Sequence, residues 1–231
     1  MDNPSVSLIC PAYDDEKNIG PLVRRCVDVM RGAFQEFEII IVEDGSPDAT
    51  GREADALAAE YAEVVAIHHE VNRGQGASLK TGLSAASYPV VAFMDGDGQY
   101  EPGDLPGMVA RLADADLVQG RRRVYPNGRA RAAMSGIYNF LLRRIFGVEF
   151  HDLGCSIKTF KKNIVEKALP EGDGIFMQGE LVLRASRAGF AVEERDVACY
   201  ERKYGSSHSI APKNVLIMAL EIMRLKREWK I

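Results

Sequence analysis

The chain has 231 residues, of which 46% are hydrophobic and 27% charged, and its formal net charge is −4. This length suits one α/β domain with a short appendage, and the composition is that of a soluble protein with a substantial core. The mild negative charge excludes the global basic field of a nucleic-acid-binding protein.

Short apolar runs alternate with helical patterns through the first half of the chain. Buried strands are predicted at residues 6–10, 38–42, 64–68, 90–94 and 116–120. Helices are predicted between them, one with apolar residues from Ile19 to Met30 at helical spacing and one over residues 78–86. Strands that are apolar along their whole length and alternate with helices indicate a mostly parallel α/β sheet covered on both faces.

The second half of the chain is less regular. We predict strands at residues 155–160 and 191–197 and helices at 178–188 and 212–229, with an apolar segment at 129–146 between two basic pairs. The last helix carries Leu216, Leu220 and Met223 on one face, so it can lie on a membrane surface or pack on the core. The chain therefore divides into a main domain, residues 1–210, and a C-terminal amphipathic helix, residues 211–231.

The amino terminus has no basic region before a long apolar run, so we expect no signal peptide. We also expect no spanning helix, because none of the apolar stretches reaches the ~18 residues that one needs. Four scattered cysteines form no C-x-x-C pair, and we interpret them as free thiols: Cys10, Cys26, Cys155 and Cys199. We expect a cytoplasmic protein that can associate peripherally with the cytoplasmic face of the membrane.

The strongest chemical signal is Asp95-Gly96-Asp97, directly after the fourth strand. Residues two apart in extended backbone point to the same side, so the two carboxylates can converge. Together with the amide oxygen of Gln99, they would suit Mg²⁺ or Mn²⁺ bound beside a diphosphate. The alternative is an ordinary turn, because Asp and Gly are common turn formers.

Other polar residues follow the other strands of the predicted sheet, at the edge where such sheets bind ligands. Asp44 ends the second strand and can accept hydrogen bonds from a ribose or base, or can cap the next helix. Tyr13, two residues after Pro11, offers an aromatic face for a base. The glycines of residues 72–76 lack the third glycine of a dinucleotide fingerprint, so we expect a close helix–sheet contact under a nucleotide.

Together these motifs resemble a known family. PAYDDEKNI, VEDGSPDAT, NRGQGASLKTGL and AFMDGDGQYEP occur in the order seen in glycosyltransferase family 2 of the GT-A fold. GRRR, HDLGCSIKTF, MQGELVLRA and ERKYGSS resemble its dolichol-/polyprenol-phosphate sugar transferase branch. The resemblance covers about residues 5–210 and implies a Rossmann-like, mostly parallel sheet flanked by helices, with amphipathic helices in the C-terminal part.

The resemblance implies a role for each matching residue. Pro11, Tyr13 and Asp44 would hold the nucleoside, and Asp95, Asp97 and Gln99 would hold the metal and diphosphate. Arg202 would grip the donor phosphates, so that Asp97 and Arg202 carry the catalysis. Arg121 and Arg131 would receive the acceptor's phosphate, a role that suits the planar guanidinium fork. We interpret Arg122, Arg123, Arg143 and Arg144 as solvated charges, and His208 stands near where the family often has lysine.

The implied activity is a metal-dependent, inverting transfer of a hexose, such as mannose or glucose, from a GDP- or UDP-sugar to polyprenyl or dolichyl phosphate at a membrane surface. A lipid phosphate needs no general base, because its second ionisation (pKa ~6) is largely complete at neutral pH. A hydroxyl acceptor would need one, and Asp152 and Glu180 are the candidates.

Three alternatives stay open. The first is a family 2 transferase that acts on a soluble or glycan hydroxyl, and the second is a non-catalytic nucleotide-sugar binder. The third is a nucleotidyltransferase, which would want a Gly-rich, Lys-bearing loop where this chain has PAYDDEKN. The chain lacks the Q-x-x-R-W of processive synthases, which favours a single transfer.

Overall fold

The computed structural model describes residues 4–125, 128–205 and 212–230, without the side chains of residues 129–131 and 212. In chain order its elements are β1 (Val6–Ala12), α1 (Ile19–Ala33), β2 (Phe37–Glu43), α2 (Thr50–Glu60), β3 (Val64–His68), α3 (Gln75–Ala85), β4 (Val90–Met94), α4 (Leu105–Ala110), β5 (Leu117–Arg122), α5 (Arg129–Phe146), β6 (Ile157–Lys161), α6 (Val165–Ala168), α7 (Met177–Arg187), β7 (Val192–Val197) and α8 (Pro212–Trp229). Each predicted strand is present, which confirms the alternating α/β pattern.

The strands form one sheet in the order β3-β2-β1-β4-β6-β5-β7. β1 pairs in parallel with β2 and β4, β2 with β3, and β5 with β7, whereas β6 is antiparallel to both of its neighbours. The sheet is therefore mostly parallel, as expected. The carboxyl ends of β1, β2 and β4 meet at one edge, because parallel neighbours end on the same side.

Helices cover both faces of the sheet. Leu8 and Cys10 of β1 pack on the side of α1, α2 and α4, whereas Ile9 packs on the side of α3, α7 and α8. Each central strand thus buries both of its faces, which is the physical reason that these strands read as continuous apolar runs.

The C-terminal helix α8 packs on the same side of the sheet as α3 and α7, but not through the predicted apolar face, because Leu216, Leu220 and Met223 are exposed. Leu225 is fully buried, and the Trp229 ring meets the Phe146 ring of α5 edge-on, with centroids 5.3 Å apart. In the part of the chain that the structure describes, none of the helices has the length and hydropathy needed to span a membrane.

Helix α3 begins earlier than the predicted segment of residues 78–86. Gly74 precedes it with φ +92°, a conformation that favours glycine, and the helix starts at Gln75. The first turn of α3 therefore lies at the edge where the parallel strands end, and Gln75 comes within reach of the residues that follow β4.

Candidate donor-binding and metal site

The two predicted metal carboxylates flank a close contact between strand ends. Asp95 and Asp97 follow β4, and Gly96 between them donates its backbone N–H to the Pro11 carbonyl at 3.0 Å. A Cβ on Gly96 would lie 2.7 Å from that oxygen, so only glycine fits there without a shift. The strand pairing itself thus holds the two carboxylates at the sheet edge.

Asp95 is tied to α3 by Gln75, whose Nε2 donates to Asp95 Oδ1 at 2.5 Å. Burial and then the charge of Asp97 raise the pKa of Asp95 to about 7. Two carboxylates that disfavour each other's ionisation suit a shared divalent cation, because such a cation relieves their repulsion. Gln75 is not among the predicted site residues, since nothing in the local sequence pattern connects it to Asp95.

Lys158, in the middle of β6, is a second polar residue that sequence analysis did not identify. It is fully buried, its Nζ donates to Gln178 Oε1 at 2.7 Å and to the Cys155 carbonyl, and burial lowers its pKa to about 8. Its charge acts to lower the pKa of Asp95. In the sequence, the signal for this residue is a lysine in the middle of a predicted strand whose neighbours are mostly uncharged.

Gln99 connects the Asp97 segment to the chain after β7. Its backbone N–H donates to Asp97 Oδ1 at 3.0 Å, and its side-chain Nε2 donates to the Tyr200 carbonyl at 3.0 Å. The Gln99 amide oxygen is thereby left as the side chain's acceptor. Among the described residues no three His, Cys, Asp or Glu side chains are grouped to hold a metal. A cation here would complete its shell with phosphate and water oxygens, as Mg²⁺ does.

The carboxylate of Asp44, predicted to contact the nucleoside, makes three hydrogen bonds within the protein. Its oxygens accept from the backbone N–H groups of Arg73 at 2.9 Å and Gly74 at 2.8 Å, and Oδ1 lies 2.6 Å from His69 Nδ1. The carboxylate therefore joins the end of β2 to the loop before α3. Pro11 is buried at the end of β1, and Tyr13 is half-buried just beyond it.

The glycines of the 72–76 loop meet another part of the protein. A Cβ on Gly76 would lie 2.5 Å from Asp173 Cα, and Gly76 donates its backbone N–H to the Asp173 carbonyl at 3.0 Å. The close contact of this loop is therefore made with residues 172–173, which precede α7, and not between helix and sheet as predicted. Asp44 on one side and Asp173 on the other fix the loop that carries Gln75.

Arg202 lies against the loop between β1 and α1. Its Nη2 donates to Asp15 Oδ1 at 2.6 Å and to the Asp14 carbonyl at 3.2 Å. Burial is the main cause of a raised pKa at Asp15, and the charge of Arg202 opposes that rise. A cleft of about 200 Å³ opens beside this contact, and its wall carries three acids, Asp14, Glu16 and Asp48, together with Lys17 and Tyr204. The predicted phosphate-binding arginine therefore already has an anionic partner at the site's edge.

The arginines at the end of β5 have different surroundings. Arg121, an expected acceptor-phosphate residue, donates its Nε to Asp196 Oδ1 at 2.6 Å, and Arg123 pairs with the same carboxylate. The interpretation of Arg122 as a solvated charge is wrong. It is largely buried and binds Asp152 with two side-chain bonds of 2.7 Å. Neighbouring arginines thus differ because adjacent side chains leave a strand on opposite faces.

Both candidate general bases are enclosed in ion pairs. Asp152 is buried and bound by Arg122, and its Oδ2 also accepts the backbone N–H of that residue at 3.0 Å. Glu180 is fully buried and accepts from Arg184 at 2.8 Å and from Arg224 at 2.8 Å. Neither carboxylate has the setting of a group that takes a proton from a substrate.

Two residues with predicted roles, Arg131 and His208, lie partly or wholly outside the described part of the chain. The backbone of Arg131 belongs to α5, and its side chain lies outside the described part of the chain. His208 lies between the described residues 205 and 212, so its expected role is untested.

Comparison with known proteins adds a family and a fold. The profile of Glycosyl transferase family 2 matches residues 7–169. The dodecaprenyl-phosphate galacturonate synthase of Rhizobium johnstonii is 36% identical over 73% of this chain and 51% of its own, so the chain spans about half the length of that relative. The polyprenol monophosphomannose synthase of Mycolicibacterium smegmatis is 31% identical over 87% of this chain and 79% of its own.

Solved structures agree with this fold. The glucosyl-3-phosphoglycerate synthase of Mycobacterium tuberculosis, in complex with Mn²⁺ and UDP-glucose, superposes with a TM-score of 0.73. The match covers 95% of this chain and 79% of that one at 20% identity. The expected α/β architecture is therefore confirmed at the level of the fold.

Proposed function

The chain belongs to glycosyl transferase family 2, and on that premise we propose that it transfers a sugar from a nucleotide-sugar donor to a polyprenyl phosphate, with inversion at the anomeric carbon. The relatives named as synthases of polyprenyl-phosphate sugars support this acceptor class. GDP- and UDP-sugars are both candidate donors, with mannose and glucose the first sugars to test. The reaction would take place at the cytoplasmic face of a membrane.

Asp95, Asp97 and the amide oxygen of Gln99 would hold Mg²⁺ or Mn²⁺ in this proposal. A bound cation would supply charge neutralisation for the departing nucleoside diphosphate. Gln75 would orient Asp95 through its amide, in the way that residues behind a metal ligand fix the ligand's direction. Pro11, Tyr13 and Asp44 would form the nucleoside end of the site, with Asp44 also holding the loop that carries Gln75.

Arg202 would bind the donor phosphates by exchanging one anion for another. Its guanidinium pairs with Asp15, and the donor diphosphate would compete for the same N–H groups. Arg121 would meet the acceptor phosphate by the same kind of exchange with Asp196, together with Arg131. Arg202 and Arg121 each have an acidic partner within the protein, Asp15 and Asp196.

The observation that carries the acceptor assignment is the enclosure of Asp152 and Glu180 in ion pairs. A hydroxyl acceptor needs a positioned base, and these two were the candidates for that role. A phosphate monoester needs none, because it is largely a dianion at neutral pH. The site is therefore better suited to a lipid phosphate than to a glycan hydroxyl.

The test is a transfer assay with a panel of labelled GDP- and UDP-sugars, offered polyprenyl phosphate or glycan acceptors with and without Mn²⁺. We expect metal-dependent labelling of the lipid phosphate. Asp97→Ala should abolish it, whereas Asp28→Ala, on the exposed side of α1, should retain it. Labelling of a glycan hydroxyl alone would overturn the acceptor assignment, and nucleotide-sugar binding without turnover would overturn the enzyme assignment.

A further inference from the structure

Exposed apolar side chains are concentrated on two helices. Among the described residues, eight of the fourteen exposed large hydrophobic side chains lie on α5 and α8. They are Met134, Ile137, Phe140 and Leu141 on α5, and Val215, Leu216, Leu220 and Met223 on α8. Ile137, Leu216 and Leu220 each leave more than half of their surface in solvent, at 61%, 61% and 62%. Such clusters mark interaction surfaces, because monomers rarely expose large contiguous apolar patches.

On α5 the spacing of these residues forms a stripe along the outside of the helix. Ile137, Leu141 and Arg144 follow one another at helical intervals of four and three residues, so they share one face. Leu142, on the opposite side of the same helix, is fully buried. The α5 stripe is therefore apolar at its centre and ends in an arginine.

Helix α8 repeats this pattern. Lys213, Leu216, Leu220, Met223 and Arg227 follow one another at intervals of three or four residues. Leu142 of α5 and Leu225 of α8 are buried in the core on the same face of the sheet, so the exposed stripes opposite them both face away from that core. Phe146 of α5 also meets Trp229 of α8. The two stripes thus form one surface, here called the α5–α8 surface and defined by the eight exposed residues above together with Arg144, Lys213 and Arg227.

Basic and acidic residues lie on different sides of these helices. Helix α5 contains four arginines and no acidic residue. The two acids of α8 have partners outside the stripe: Glu221 accepts from the backbone N–H groups of Gly174 and Phe176, and the exposed Glu228 pairs with Arg184 of α7 at 2.7 Å. The outward stripes keep only basic residues, although the whole chain has a net charge of −4.

We propose that the α5–α8 surface docks on the anionic face of a lipid bilayer, with its apolar stripes among the acyl chains and its basic ends at the headgroups. An amphipathic helix with a basic border binds membranes in this way. Anionic lipids attract basic residues, and each Lys or Arg near the surface raises the affinity for the membrane about fivefold. The inference deepens the proposed function, because α5 begins two residues before Arg131, which we assign to the acceptor phosphate.

The experiment measures co-sedimentation of the full chain with vesicles of phosphatidylcholine, with or without phosphatidylglycerol, and without donor or acceptor. The wild-type chain should bind the anionic vesicles. The variant Leu216→Ser/Leu220→Ser should bind them at least about tenfold more weakly, since each leucine loses apolar burial. Arg144→Gln/Arg227→Gln should bind anionic vesicles about 25-fold more weakly, at roughly fivefold per charge.

Matched controls lie elsewhere on the molecule. Val65→Ser changes an exposed residue of the edge strand β3, and Arg52→Gln changes an exposed residue of α2 on the other face of the sheet. Both should bind vesicles like the wild-type chain. All of these changes are at exposed positions, and unchanged melting temperatures would verify that each variant folds.

The proposal is overturned if the wild-type chain ignores anionic vesicles, or if the controls lose as much binding as the α5–α8 variants. Sedimentation that reveals a dimer, which Leu216→Ser/Leu220→Ser dissociates, would assign the surface to a second copy of the chain instead. Transfer to a short, water-soluble polyprenyl phosphate analogue separates the two proposals. Activity there without vesicle binding refutes only the docking surface, and vesicle binding without any transfer refutes only the proposed function.

Discussion

Replacing Asp152 by asparagine separates a structural ion pair from a general base. Asp152 leaves only 1% of its side chain exposed, and its partner Arg122 leaves 14%. The carboxylate accepts two side-chain bonds of 2.7 Å and one backbone bond of 3.0 Å from that arginine. Asparagine keeps the shape but removes the charge, so the guanidinium would stay buried without its counter-ion.

The expected loss of folding stability is large, because the charge of Asp152 no longer offsets the desolvation of Arg122. Breaking a buried pair by removing one partner costs about 3–5 kcal/mol. For a domain of this size each kcal/mol lowers the melting temperature by about 2–4 °C, so Asp152→Asn should melt roughly 6–20 °C lower. Differential scanning calorimetry of the ligand-free chain measures this, and transfer to polyprenyl phosphate below the transition should persist in the folded fraction.

The double variant Arg122→Met/Asp152→Leu is the control, because an apolar replacement of the whole pair avoids the unpaired charge. It should melt above Asp152→Asn. The reasoning is refuted if Asp152→Asn melts within about 1 °C of the wild-type chain while its turnover is lost. That pattern is the one expected of a general base, and it would favour a hydroxyl acceptor.

Three further predictions concern the metal site and the loop that carries Gln75. Gln75→Ala should weaken Mn²⁺ binding by about 10–100-fold in titration calorimetry with nucleoside diphosphate present, because Asp95 loses its orienting donor; unchanged affinity would contradict that role. Burial and Asp97 raise the pKa of Asp95 to about 7, so the folded chain binds the proton more tightly than the unfolded chain. Stability from this group is present below about pH 4 and is lost as the pH rises through about 7, whereas Mn²⁺ binding weakens below about pH 7. Melting temperatures and Mn²⁺ affinities measured between about pH 5 and 8 should follow these trends. Asp95→Asn should flatten the dependence of the melting temperature on pH. Gly76→Ala should cost about 1–3 kcal/mol in urea unfolding, because its Cβ would meet Asp173; Gly136→Ala on α5, with nothing within 4 Å, should not destabilise.

The site depends on one loop that is held from two sides. Asp44 binds the backbone of Arg73 and Gly74, and the Asp173 carbonyl accepts the N–H of Gly76. Gln75 between them then reaches Asp95. A residue predicted to contact the nucleoside therefore also determines where a metal carboxylate points.

The amino-acid sequence by itself determined the elements and the edge at which the site lies. The apolar runs at β1, β2 and β4 required burial on both faces, and a parallel sheet brings the residues after those strands together. Asp44, Asp95 and Asp97 could be placed at one edge for that reason. Periodicity also predicted α8 and the residues of its outward stripe.

The tertiary structure alone decided which partner each polar group has. Arg121 and Arg122 are neighbours in sequence, yet one pairs with Asp196 and the other is buried with Asp152. Gln75 reaches Asp95 across a separation of twenty residues. Local patterns specify backbone conformation and burial, whereas ion pairs and hydrogen bonds form between segments that only the packed fold brings within about 3 Å of each other.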